Sequence, residues 1–124
     1  MAAQRLLVVE DELLVALDIE SILSEAGMVV IGPASSAGEA LELIASGGAD
    51  AALIDANLGG EPITAVARAL SERGIPFAYV TGYGRESLPA AHPAPIVTKP
   101  FDAAQLLAAV RQLLAISGGP DSAA

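Results

Sequence analysis

Hydrophobic positions along the chain fall into two alternating patterns. Short continuous apolar runs, the mark of strands buried on both faces, predict strands over 5–9, 28–31, 51–55, 75–81 and 96–98. The stretches between them carry helical spacing. Glu10-Asp11-Glu12 ends the first strand and opens a helix to about residue 26, where Ile19, Ile22, Leu23 and Ala26 form an i, i+3, i+4, i+7 stripe before Gly27. Ser36 with Glu39 is a capping box for a helix to about residue 46, stopped by Gly47-Gly48. Pro62 suits the first position of a third helix, with Ile63, Val66, Ala67 and Leu70 inward and Gly74 at its end. The segment 85–95 holds Pro89, Pro93 and Pro95, so any helix there is about two turns or less. The last helix has Asp102 and Gln105 as a capping box and Phe101 and Leu106 as a hydrophobic staple. Its core face is Leu106, Leu107, Val110, Leu113 and Leu114.

Strands alternating with helices predict parallel pairing and right-handed crossovers. The expected fold is α/β and flavodoxin-like: a doubly wound five-stranded parallel sheet, order 2-1-3-4-5, with helices on both faces. The domain is expected over 1–117, with a flexible tail over 118–124. Strand order reverses between strands 1 and 3, so a crevice opens there at the carboxyl edge.

Composition narrows the function. With 6 basic and 15 acidic residues the net charge is -9, which argues against a nucleic-acid partner. There is no cysteine, which removes thiol catalysis and cysteine-ligated structural zinc. Neither a signal-like segment nor a run of transmembrane length is present, so a cytoplasmic location without membrane attachment is expected.

Candidate chemistry sits at the strand ends. Asp55 closes strand 3 and reads as a nucleophilic carboxylate that accepts a phosphoryl group, or as an ordinary turn aspartate. Glu10 and Asp11 could hold a hard cation such as magnesium beside it, or could merely favour the helix N-terminus, with Asp11 as N-cap. Thr81 could bond a phosphoryl oxygen or simply finish a strand. Lys99 could neutralise phosphoryl charge or stay solvated. Singly, each has its plain alternative; together they lie on one edge and supply the nucleophile, metal and positive charge that phosphoryl transfer needs. His92 has no ligand-like neighbours in sequence and reads as a surface loop residue.

The set Glu10-Asp11, Asp55, Thr81 and Lys99-Pro100-Phe101 resembles the receiver domain of bacterial two-component response regulators over about residues 4–116. The run from Pro76 to Gly84, containing Thr81-Gly82-Tyr83, is similar to the "FAT GUY" group of single-domain receivers. The resemblance implies that Asp55 takes a phosphoryl group from a phosphohistidine on a sensor histidine kinase or histidine phosphotransferase. It implies Mg2+ held by Glu10, Asp11, Asp55 and the backbone carbonyl of Asn57, with Thr81 and Lys99 on the phosphoryl oxygens. The Lys99-Pro100 bond would be cis. Self-phosphorylation and slow self-dephosphorylation would be the only catalysis; the job would be signalling to a downstream protein. A homodimer is a further option, through the face made by helix 4, strand 5 and helix 5, whose outward side is Ala104, Ala108, Arg111, Gln112 and Ala115.

Two departures stand out. Receivers usually carry an aromatic three residues before the lysine, where this chain has Ile96; Tyr83 and the 85–95 segment are expected to carry the switch instead. The weak fourth helix is the second. The expectation is a stand-alone receiver. The alternatives are a module of a hybrid kinase or longer regulator, or a phosphatase using Asp55. The last lacks an acid two residues on, since Asn57 cannot protonate a leaving group.

Overall fold

Five strands, β1 (Arg5–Val9), β2 (Val29–Ala34), β3 (Ala51–Asp55), β4 (Phe77–Thr81) and β5 (Ile96–Thr98), form one parallel sheet ordered β2-β1-β3-β4-β5 in the computed structural model. The helices among the described residues are α1 (Leu13–Glu25), α2 (Ala37–Ser46), α3 (Thr64–Glu72) and α4 (Ala103–Ala123). The structure describes residues 3–82 and 88–123, with 117–123 as backbone alone. Tyr83 and the start of the 85–95 segment, expected to carry the switch, lie outside the described residues. Residues 88–95 contain no helix, so the fifth helix of the sequence reading is α4.

Alternation along the strands builds two cores. Leu7, Val9, Ala52, Ile54, Phe77 and Tyr79 face one side, against residues of α2 and α3 such as Ile44, Val66 and Leu70. Leu6, Val8, Ala51, Leu53, Ala78 and Val80 face the other, against Ile19, Leu23, Leu106, Val110 and Leu113 of α1 and α4. The strands β1, β3 and β4 are therefore buried on both faces, which is what continuous apolar runs require.

Local chemistry sets most boundaries. Ser36 Oγ accepts the Glu39 N–H at 3.1 Å, while the Glu39 carboxylate takes the N–H of Ser35 at 2.8 Å, one residue earlier than a standard capping box. Asp102 and Gln105 exchange both bonds, at 2.8 and 2.9 Å.

Four boundaries differ from expectation. β2 runs through Gly32-Pro33 to Ala34, with a register shift against β1. Gly32 has φ +99°, and a Cβ there would meet the Val8 carbonyl at 3.0 Å, so glycine bends the strand rather than ending it. Proline is tolerated because β2 is an edge strand. Helix α3 starts at Thr64, after Pro62, because Leu58 and Glu61 close a small antiparallel bridge that holds the chain out of helical geometry. Ala26 is exposed beyond the end of α1 and Ile22 is half-buried, so the buried residues of α1 are Ala16, Ile19 and Leu23. Finally, α4 continues to Ala123 through the segment expected as a flexible tail.

Candidate functional site

Register brings the strand ends together. Val9 pairs with Ile54, so Glu10 follows beside Asp55. Asp55 pairs with Val80, and Thr81 pairs with Thr98 immediately before Lys99. The backbone carries this forward: Ala56 N–H donates to Val80 O and Lys99 N–H donates to Thr81 O, both at 2.8 Å. Among the described residues, Glu10, Asp55 and Thr81 are the buried polar ones, at 2%, 3% and 0% exposure. In a core otherwise apolar, these three all sit at the carboxyl edge.

Lys99 is the cation at the centre. Its Nζ lies 3.2 Å from Glu12 Oε1, 3.4 Å from Glu10 Oε1 and 3.7 Å from Asp55 Oδ2. Burial pulls its pKa down, but the carboxylates of Glu10, Asp55 and Glu12 outweigh this and hold it above the ordinary value. The ammonium is charged throughout the neutral range.

The carboxylates are under the opposite stress. Burial, then the adjoining Asp55 carboxyl, pushes Glu10 up to about 7, against the pull of the Glu12 N–H and Lys99. Burial also raises Asp55, opposed by its bond with Glu10, by the Asn57 N–H and by Lys99. Asn57 N–H donates to Asp55 Oδ1 at 3.0 Å, which fixes the rotamer and leaves Oδ2 facing Lys99.

Carboxylate oxygens of Glu10, Asp11 and Asp55 all lie within 4.8 Å of one another. Glu10 Oε2 accepts the Glu12 N–H at 3.1 Å, but the buried Oε1 accepts no hydrogen bond among the described residues. A buried carboxylate oxygen that makes no hydrogen bond and faces only the Lys99 ammonium 3.4 Å away, beside two more hard oxygen ligands, fits a divalent cation of the magnesium class. Asp11 is free for this role because it does not cap α1: the N-cap is Glu12, and no side chain bonds the helix end there. The Asn57 carbonyl accepts Gly59 N–H at 3.0 Å, with a second lone pair to spare. The loop passes close, since a Cβ on Gly59 would stand 3.1 Å from Asp11 Oδ2. Asp55, Asn57, Glu12 and Lys99 line an open cleft of about 590 Å³, together with Leu14 and Phe101. The Lys99-Pro100 bond is cis.

All six site residues named from the sequence thus gather at one edge. His92 does not behave as a plain surface residue: it is half-buried, its Nδ1 is 3.2 Å from Ser71 Oγ, and its carbonyl accepts the Tyr79 hydroxyl at 2.7 Å. Sequence reasoning gave Glu12 no role, although it follows the acid pair directly. Glu61 was also missed; its carboxylate accepts the Ala37 N–H at 2.9 Å and ties the Asp55 loop to α2.

Comparison with known proteins agrees with this geometry. Residues 6–111 match the family model for the response regulator receiver domain. SdrG from Sphingomonas melonis Fr1 is 37% identical with a TM-score of 0.81, covering 92% of this chain and 99% of SdrG. A response regulator receiver protein from Sinorhizobium medicae WSM419 is 32% identical with a TM-score of 0.79, covering 93% of this chain and 97% of that one. The phyllosphere-induced regulator PhyR of Methylorubrum extorquens is 33% identical over 118 residues, which is 90% of this chain but only 44% of that regulator. The chain thus spans less than half the length of that curated relative. By motif, topology and match, this chain belongs to the response regulator receiver domain family of two-component signalling.

Proposed function

We propose that this receiver takes a phosphoryl group on Asp55 from a phosphohistidine of a sensor histidine kinase or histidine phosphotransferase, and that capture alters a surface read by a downstream protein. An Asp55 oxygen attacks phosphorus, the phosphorus–nitrogen bond breaks, and the imidazole nitrogen leaves with the electron pair. Glu10, Asp11, Asp55 and the Asn57 carbonyl would hold Mg2+, which when bound supplies positive charge to the phosphoryl oxygens. Lys99 brings a second positive charge and the Thr81 hydroxyl a hydrogen bond. Catalysis is confined to the protein's own modification and its reversal. The observation that carries this reading is the single cluster formed by Asp55 Oδ2, Lys99 Nζ 3.7 Å away and the neighbouring acids.

A cytoplasmic setting suits this role, and no described helix is long and apolar enough to cross a membrane. The alignment over 99% of SdrG favours a stand-alone receiver, and partial coverage of PhyR favours a module of a longer regulator; the chemistry is the same in both. Ala104, Ala108, Arg111, Gln112 and Ala115 are exposed on α4, a weakly charged face suited to the downstream protein or a second copy. Titration with beryllofluoride and Mg2+, followed by amide NMR, tests the reading. Saturable shifts centred on Asp55 that vanish in Asp55→Asn support it; identical spectra with and without beryllofluoride overturn it.

A further inference from the structure

Lys99 has three carboxylate partners, and they are not equivalent. Glu10 and Asp55 are buried and each is fixed by a backbone N–H, from Glu12 and Asn57 respectively. Glu12 is different: its side chain is 65% exposed at the cleft mouth, yet its Oε1 receives the shortest approach, 3.2 Å, with Lys99 Nζ donating to it. It is the N-cap residue of α1, but its side chain makes no cap bond. The Glu12 carboxylate therefore has one described partner, the lysine.

Resting on the phosphoacceptor reading above, we infer that Glu12 is a positioning residue: it holds the Lys99 ammonium at the cleft mouth and must surrender it when a phosphoryl group arrives. The two buried carboxylates cannot withdraw without losing their backbone bonds. Glu12 can swing into water at little cost, because an exposed ion pair is weak. An incoming phosphoryl group offers Lys99 several charged acceptor oxygens in its place. Glu12 thus competes with the phosphoryl group for one cation, and it tunes how readily Asp55 is loaded without touching phosphorus itself.

The test compares the wild-type chain with Glu12→Gln and Glu12→Asp at saturating Mg2+. Gln removes the charge. Asp keeps the charge but is one methylene too short for the 3.2 Å approach to Lys99. Both variants should bind beryllofluoride and react with acetyl phosphate roughly two- to five-fold more strongly, the range an exposed ion pair supports. In metal-free protein, both should shift and mobilise the Lys99 side-chain NMR signals. A Glu12→Asp variant that matches wild type while Glu12→Gln gains would show a diffuse field effect and overturn the inference. So would wild-type affinity in both variants, or unchanged Lys99 signals. If the wild-type chain itself ignores beryllofluoride, the phosphoacceptor reading fails, and the metal-free Lys99 signals still report whether Glu12 holds the lysine.

Discussion

Replacing Glu10 by Gln should remove a pH-dependent weakness that the fold carries in the absence of metal. Glu10 is 2% exposed, and burial followed by the Asp55 carboxyl raises its pKa from 4.5 to about 7. The sign follows from which state binds the proton more tightly. Between pH 4.5 and about 7 the folded chain retains a proton that the unfolded chain has released, so stability falls as pH rises through that window. Below it, both states are protonated and no cost arises. At ~1.4 kcal/mol per tenfold in proton affinity, the full rise corresponds to about 3 kcal/mol. For a domain of this size that is on the order of 10 °C in melting temperature. Asp55 is raised as well and acts in the same direction. Thermal melts in chelator from pH 4.5 to 7.5 should therefore show a falling Tm for the wild-type chain and a flatter profile for Glu10→Gln. Saturating Mg2+ should lift the wild-type curve most at the upper end, because the cation binds the ionised carboxylates. A wild-type Tm independent of pH in chelator, or the same slope in both proteins, would refute the reasoning.

Other perturbations follow from the same geometry. Asp11→Asn should weaken Mg2+ binding at least roughly tenfold by calorimetry, since even outer partners of metal ligands are worth that much; equal affinity would remove Asp11 from the site. Gly59→Ala should cost about 1–2 kcal/mol in urea melts from its left-handed backbone. It should also weaken Mg2+ binding, because the new methyl crowds Asp11 Oδ2. Tyr79→Phe removes the 2.7 Å bond to the His92 carbonyl and should cost about 1 kcal/mol, with Asp55 phosphorylation retained; no loss would mean that water replaces the hydroxyl.

Much of this architecture was legible in the chain because one physical cause dominated each element. Apolar runs such as Leu53-Ile54 admit only a strand covered on both faces, and side-chain caps at Ser36 and Asp102 announce helix starts without tertiary help. The site was legible because register converts strand ends into neighbours: once Asp55 pairs with Val80, Thr81 and Lys99 are bound to follow. What escaped depended on contacts between distant segments. Gly32-Pro33 looks like a turn until β1 is placed beside it and the Val8 carbonyl excludes a Cβ. Pro62 looks like a helix start until Leu58 and Glu61 close the loop ahead of it. His92 acquires its partners only when α3 and β4 come alongside, and Glu12 only when β5 delivers Lys99 from 87 residues away. Spacing within one segment carries no signal for such pairings.

Intact mass of the chain after incubation with acetyl phosphate and Mg2+ addresses the phosphoacceptor most directly. One phosphoryl group should add to the wild-type protein, map by borohydride trapping to Asp55, and be absent from Asp55→Asn and from wild type in chelator. Addition at another residue, or equal labelling of Asp55→Asn, would contradict the assignment of Asp55.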